Sequence, residues 1–225
     1  MTDSVKELIQ MFENMSGRYS GYEIFSDWVK ASALSVCNTC HIIHDSVWKE
    51  REQAYQDICR KYKQEELVLF ARMLALLIDG LTEDMTDVLG EVYMRAGLGS
   101  KIAGQFFTPF HLSELCARIG VDIQKIDPNS NEPILISEPS CGGGGMIIAA
   151  AKVLRDNGIN FQRRLRVLAQ DLDWKGVYMT YLQLSLLGIQ ARVVQGDTLC
   201  NPYDPERTPR SHILETPAYM MGGLP

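Results

Sequence analysis

Residues 134–146 read Ile-Leu-Ile-Ser-Glu-Pro-Ser-Cys-Gly-Gly-Gly-Gly-Met, and this stretch decides the fold. Ile134, Leu135 and Ile136 have the apolar run of a buried strand, and the acidic Glu138 follows almost at once. Pro139, Ser140 and Cys141 then turn the chain into the consecutive glycines Gly142, Gly143, Gly144 and Gly145. From Met146 through Leu154 the pattern is helical. Glycines between a strand and a helix let backbone approach a ligand where a Cβ would collide. The helix that follows offers free N–H groups and the positive end of its dipole. A carboxylate just before such a loop suits a ligand with an ammonium group better than one with a pyrophosphate. That favours S-adenosylmethionine over a dinucleotide. A plain flexible turn is the alternative this stretch alone leaves open.

Strand and helix alternate from there onward. The first helix runs to about Asp156 and stops at Asn157-Gly158. A second strand, Leu165 to Ala169, leads into Gln170-Asp171-Leu172-Asp173, and a helix from Trp174 to Leu187 ends at Gly188. A third strand, Ala191 to Gln195, leads into Gly196-Asp197-Thr198-Leu199. Repeated β-α-β spacing predicts a parallel, doubly wound sheet with its ligand at the C-terminal strand ends. Each strand ends in residues suited to that place: Glu138 with the glycines, then Asp171, then Asp197. An Asp past the second strand can accept both hydroxyls of a ribose, and one past the third can accept from an adenine amino group. Any one of them alone could instead cap the next helix. Three in register argue for a shared site.

Upstream, residues 1–98 read as helices. Val5, Leu8, Ile9 and Phe12 lie at helical spacing, as do Phe25, Trp28, Val29 and Ser32, and Leu67, Phe70, Ala71 and Leu74. The charged stretch from Lys49 to Lys63 reads as a solvated helix face. Cys37, Cys40, His41 and His44 spell the spacing of haem attachment or of a metal site, all on one helix face if the helix is unbroken. Haem attachment belongs to exported proteins and zinc knuckles use a turn, so buried cysteines with surface histidines are the default and no metal is expected. Gly97, Gly99, Ser100 and Gly104 form a linker into Gln105-Phe106-Phe107-Thr108-Pro109, after which Leu112, Leu115, Cys116 and Ile119 give a short helix ended by Gly120. The two aromatics beside a hydroxyl and a proline read equally as pocket lining or core filler.

Composition sets the outer bounds. The 225 residues hold one large domain or two smaller ones. A net charge of −6 argues against gripping nucleic acid by bulk electrostatics, so any DNA affinity needs a local basic patch or a partner. Arg155, Arg163, Arg164 and Arg166 offer phosphate contacts, with a solvated cluster as the plainer reading. The N-terminus lacks the cationic start and apolar core of a signal peptide, and the apolar stretch near Leu67 to Ile78 is interrupted by Arg72 and too short to span a bilayer. The expectation is a cytoplasmic protein without membrane contact, its six cysteines reduced.

Taken together, these segments resemble the N6-adenine DNA methyltransferases, specifically the modification subunit of type I restriction systems. The likeness runs from about Thr86 to Leu199: the Asp87-Val88-Leu89-Gly90-Glu91-Val92-Tyr93 helix, Gln105 to Pro109, the loop from Glu138 to Gly145 with Glu in place of the family's Asp, Gln170-Asp171, and Gly196 to Leu199. The resemblance implies a Rossmann-like, S-adenosylmethionine-dependent α/β methyltransferase fold over residues 99–225 behind a helical N-terminal domain of residues 1–98. It implies a cofactor site made of Gln105, Phe106, Phe107, Thr108 and Pro109, Glu138, Cys141, Gly142 to Gly145, Asp171 and Asp197. Phe107 and Thr108 would stand by the methionine end, Glu138 near the ammonium, Asp171 at the ribose and Asp197 at the adenine.

The family's Asn-Pro-Pro-aromatic motif, which receives the target amine after a fourth strand, has no copy here. Asn201-Pro202-Tyr203 follows Asp197 too closely, and the better-placed candidate is Thr216-Pro217-Ala218-Tyr219 after a possible strand from His212 to Glu215. On that basis Thr216, Pro217 and Tyr219 are the candidate catalytic residues. The chain stops at Pro225, so a C-terminally truncated sheet is expected, with Leu214 on an exposed edge. Two functions follow from the resemblance: methyl transfer to the exocyclic amine of adenine in DNA, or a catalytically impaired cofactor-binding module of a larger restriction or mobile-element assembly. The expected partners are DNA, reached through a specificity subunit, or a second chain completing the sheet, with an oligomer open. A methyltransferase for small molecules or proteins is a third reading, against which Gln105 to Pro109 speaks.

Overall fold

The structure is a computed structural model that describes residues 3–15, 17–97 and 107–222. The expected domain boundary at 98/99 and the residues Gln105 and Phe106 lie outside the described residues. Five helices come first: α1 (Asp3–Met15), α2 (Gly21–Cys40), α3 (Ser46–Lys61), α4 (Gln64–Glu83) and α5 (Val88–Arg95). Side-chain caps start three of them. Ser20 accepts from Glu23 N at 3.2 Å, Asp45 from Trp48 N at 2.9 Å and Asp87 from Gly90 N at 2.8 Å, each satisfying an amide the helix itself leaves open. Their apolar stripes meet in an aromatic cluster of Phe12, Phe25 and Trp28, where the indole N–H donates to Phe70 O at 3.0 Å. Helix α3 buries only Ile58, in keeping with a solvated face. Helix α2 ends at Cys40, so His41 caps it and His44 stacks on Trp48 in the next loop. The four side chains of the Cys37–His44 motif therefore do not share a helix face, and no metal-binding cluster occurs among the described residues.

Helix α6 (Phe110–Gly120) leads to the α/β portion: β1 (Ile134–Glu138), α7 (Gly145–Asp156), α8 (Phe161–Arg164), β2 (Leu165–Asp171), α9 (Trp174–Leu186), β3 (Gln190–Gln195), β4 (Ile213–Glu215) and α10 (Pro217–Gly222). Strands β1, β2 and β3 are parallel neighbours, with Glu138 opposite Ala169 and Asp171 opposite Gln195. Parallel crossovers are right-handed as a rule, and two that advance in one direction put α7 and α9 on the same face of the sheet. Burial agrees: Leu165, Val167, Ala169, Ala191 and Val193 are sealed beneath them, whereas Leu135, on the opposite face, is 76% exposed. This is one winding of the doubly wound pattern. The core is continuous, running from Val5 through Trp28, Val88 and Ile147 to Leu214. Arg164 is buried and donates to the Asp127 and Glu132 carbonyls, which takes it out of any phosphate-binding cluster.

The last strand departs from expectation. β4 runs antiparallel beside β3, with Leu214 opposite Val193 and sealed in the core rather than on an exposed edge. Antiparallel return carries Thr216 back toward Ala191, at the N-terminal end of β3. At about 3.3 Å per residue this is roughly 13 Å from the strand ends that carry Asp171 and Gln195. Thr216 is fully buried there: its hydroxyl donates to Ile189 O at 2.7 Å and accepts from Ala191 N at 2.9 Å. Pro217 opens α10, and the Tyr219 ring lies under the Arg192 guanidinium at 4.9 Å. The candidate catalytic trio thus stands at the other end of β3 from the acidic strand tips, contrary to expectation, and Thr216 is a buried tie between β3 and α10. Thr216→Val is expected to cost about 1–3 kcal/mol, because the Ala191 amide is left without an acceptor. Urea unfolding checks this; an unchanged midpoint counts against the tie.

Candidate cofactor site

The turn out of β1 is built by its neighbours. Cys141 N donates to Gln170 O at 2.9 Å and Gly144 N to Cys141 O at 2.7 Å, closing a tight turn onto the N-terminus of α7. Gly142 and Gly144 have φ of +52° and +93°, where a side chain is strained. Beneath the turn runs one stripe of α9, Gly176, Thr180 and Gln183, spaced one helical turn apart. Thr180 Oγ1 donates to Gly142 O at 2.9 Å, and Gln183 Nε2 to Gly143 O at 2.7 Å. A Cβ on Gly176 would stand 3.1 Å from Gly142 O, so the helix approaches the loop only because that residue is glycine.

Asp171 ties the end of β2 to this turn. Its Oδ2 accepts from Gly142 N at 2.8 Å and its Oδ1 from Asp173 N at 2.9 Å. Each carboxylate oxygen has a second lone pair, so the group keeps acceptor capacity for a diol. Glu138, at the end of β1, accepts from Ser140 N at 3.2 Å. Asp197 follows β3, where its Oδ1 accepts from Leu199 N at 2.9 Å and Cys200 N at 3.1 Å; these bonds hold its carboxyl below the usual carboxylate range. A cavity of about 800 Å³ opens beside it, lined among others by Leu172, Gly196, Asp197, Asn201 and Tyr203. Phe107 covers the turn from the other side: a Cβ on Gly142 would meet its ring at 3.0 Å. Thr108 and Pro109 line a second cavity of about 390 Å³ with Phe107 and Asp87. Cys141 is buried, which pushes its thiol up to about 12, so it is a neutral packing group and not a nucleophile.

Three residues that sequence reasoning did not place in the site hold this arrangement. Asp87 sits buried against the turn, its Oδ1 accepting from Gly90 N and from Gln183 Nε2 at 2.8 Å each. Any Cβ on Gly143 would lie 2.9 Å from its carboxylate oxygens. Gln183 Oε1 accepts in turn from Leu89 N at 3.1 Å. Lys175 is the third: its ammonium donates to Tyr93 O–H at 3.0 Å and lies over the Tyr22 and Tyr93 rings, and Tyr93 packs edge-on against Phe107 at 5.0 Å. Thr180 and Gln183, polar residues on the apolar helix 174–187, were the available sequence signal.

Residues 84–221 match the N-6 DNA methylase family. The chain belongs to that family. With membership come a methyltransferase fold and S-adenosylmethionine as cofactor, and the donor set fits that molecule. Carboxylates stand at three adjacent strand ends, and a glycine turn joins the first of them to α7. A curated relative, the type I restriction enzyme MjaIX methylase subunit of Methanocaldococcus jannaschii, is 27% identical over 119 residues, covering 51% of this chain. The chain spans 20% of that relative's length. A solved structure from Listeria monocytogenes, assigned to the class I S-adenosylmethionine-dependent methyltransferases, superposes with a TM-score of 0.46 at 12% identity. It covers 99% of this chain and 70% of its own.

Burial holds the Asp87 carboxyl above its ordinary range. A folded-state pKa raised in this way contributes stability while the acid is protonated and loses it as pH rises through that pKa. Asp87→Asn keeps the acceptor for Gly90 and Gln183, so its thermal midpoint is expected to gain on wild type between about pH 4 and about pH 8. Asp87→Leu orphans both donors and costs about 1–3 kcal/mol for each. Calorimetric scans at both pH values check the pair; a pH-independent difference for Asp87→Asn counts against an embedded neutral acid.

Proposed function

We propose that the C-terminal ends of β1, β2 and β3 hold S-adenosylmethionine, and that the chain serves methyl transfer to the exocyclic amine of adenine in DNA within a restriction-modification system. The observation that carries this reading is the Asp171 carboxylate, which closes the glycine turn through Gly142 N and keeps lone pairs for the two ribose hydroxyls. Glu138 serves the ammonium and Asp197 the adenine amino group, while Phe107 and Thr108 bound the methionine end. When bound, the cofactor supplies an activated methyl group on its sulfonium. The chain's own residues bind and orient: the turn's N–H groups and the α7 dipole lie beneath, and the three carboxylates fix rotation about the nucleoside. DNA is reached with a partner, a reading that the net charge of −6 supports.

A second reading draws on two observations. Thr216 lies beside Ala191, at the end of β3 away from Asp171, with Pro217 and Tyr219 following it, and the sequence contains no Asn-Pro-Pro-aromatic segment. The group that orients the target amine then comes from another chain or segment, and this chain is the cofactor-holding module. Titration calorimetry with S-adenosylmethionine tests the shared part: wild type binds, and Asp171→Ala binds at least roughly tenfold more weakly, since a buried donor and two ribose hydroxyls lose their acceptor. No binding by wild type removes both readings. Transfer of labelled methyl to adenine-containing DNA by the chain alone favours the enzyme; transfer only with a partner added favours the module.

A further inference from the structure

Gln170 precedes Asp171 in β2, and strand alternation turns its side chain to the opposite face of the sheet. It is only 4% exposed, yet both ends of its carboxamide are engaged. Nε2 donates to Asn201 O at 3.0 Å, and Oε1 accepts from Tyr203 N at 3.1 Å. Pro202 between them has no N–H, so the amide spans its two neighbours as an adjacent strand would. One orientation alone satisfies both partners, since the other sets donor against donor and acceptor against acceptor.

The other end of the same segment is fixed to the next residue of β2. Gly196 N donates to Asp171 O at 2.9 Å. Between the two anchors, Asp197 Oδ1 gathers the Leu199 and Cys200 amides, and Asn201 N donates to Asp197 O at 2.6 Å. A Cβ on Gly196 would lie 2.9 Å from Gln170 Nε2, so that glycine makes room for the amide. Arg192 reaches the Tyr203 hydroxyl at 2.5 Å and steadies the segment where it leaves the loop. The loop is thus a closed ring fastened at both ends to Gln170-Asp171, and it walls the 800 Å³ cavity that Asp197 lines.

We propose that Gln170 is a positioning residue that sets the adenine end of the cofactor site, holding the Asn201–Tyr203 segment as the wall that selects the base. This rests on the assignment of Asp197 to adenine made above. The geometry also explains Asn201-Pro202-Tyr203: the segment is a wall of the cofactor's own base and not a holder of a target base.

Hydrogen exchange on the cofactor-free chain tests the clamp first. In Gln170→Leu, exchange at residues 199–203 is expected to quicken while β1, β2 and α7 keep wild-type protection. Calorimetry then compares S-adenosylmethionine with its inosine counterpart, in which the 6-amino group is replaced by oxygen. Wild type is expected to prefer the adenine form by roughly tenfold or more, and Gln170→Leu to lose most of that preference. Gln170→Glu keeps the size and the acceptor for Tyr203 but sets a carboxylate against Asn201 O. Its preference is expected to return toward wild type, measured at the same pH, as the solution is brought to about pH 5 and the acid regains a donor. Unchanged protection in Gln170→Leu overturns the clamp. Lost protection with retained base preference overturns the positioning role while the cofactor reading stands. Wild type that binds neither nucleoside overturns the cofactor reading and this proposal together.

Discussion

The Gln183 carboxamide is the point at which the helical and α/β portions are made one body. Its nitrogen donates to Asp87 Oδ1 and to Gly143 O, and its oxygen accepts from Leu89 N. One side chain therefore fixes α5, α9 and the glycine turn relative to one another. Gln183 and Asp87 are buried, so each bond is electrostatically stronger than in water and each lost partner leaves an orphaned group. Asp87 tolerates that burial because two donors converge on one of its oxygens, and a raised pKa lets it be neutral.

From that tie the character of the glycine turn follows. Four glycines in a row read as slack chain, but α9 presses from below, Asp87 and Phe107 press from the sides, and Asp171 takes the Gly142 amide. The missing side chains admit close neighbours, and the neighbours hold the backbone in one shape. A turn set beforehand meets its ligand without a large ordering cost. Lys175 extends the same ordering outward through Tyr93 to Phe107 and through Tyr22 to α2.

The strands, the glycine turn and the helices that follow were legible because each carries its own period and its own stop signal. Ile134 to Glu138, Leu165 to Asp171 and Gln190 to Gln195 all fall within a residue or two of the reading made from pattern alone. What pattern cannot carry is direction. Ile213 to Glu215 has a strand's composition whichever way it runs, and the antiparallel return reversed the meaning of Thr216. The shared helix face read for Cys37 to His44 failed for a related reason: nothing in the spacing reports that the helix stops at Cys40. The roles of Gln170 and Gln183 stayed hidden because an amide in an apolar segment reads as a neutral filler until its partners, far away in sequence, are known.

Strand β4 has one more effect. It occupies the flank of β3, and Arg51 covers its Ile213 carbonyl, whereas β1 has a neighbour on one side only among the described residues. The two edges of the sheet therefore differ: Arg51 reaches across β4, while β1 leaves Leu135 exposed beside it. The margin of the sheet runs straight into the glycine turn, so the turn is bordered by one strand, β2, and not flanked on both sides.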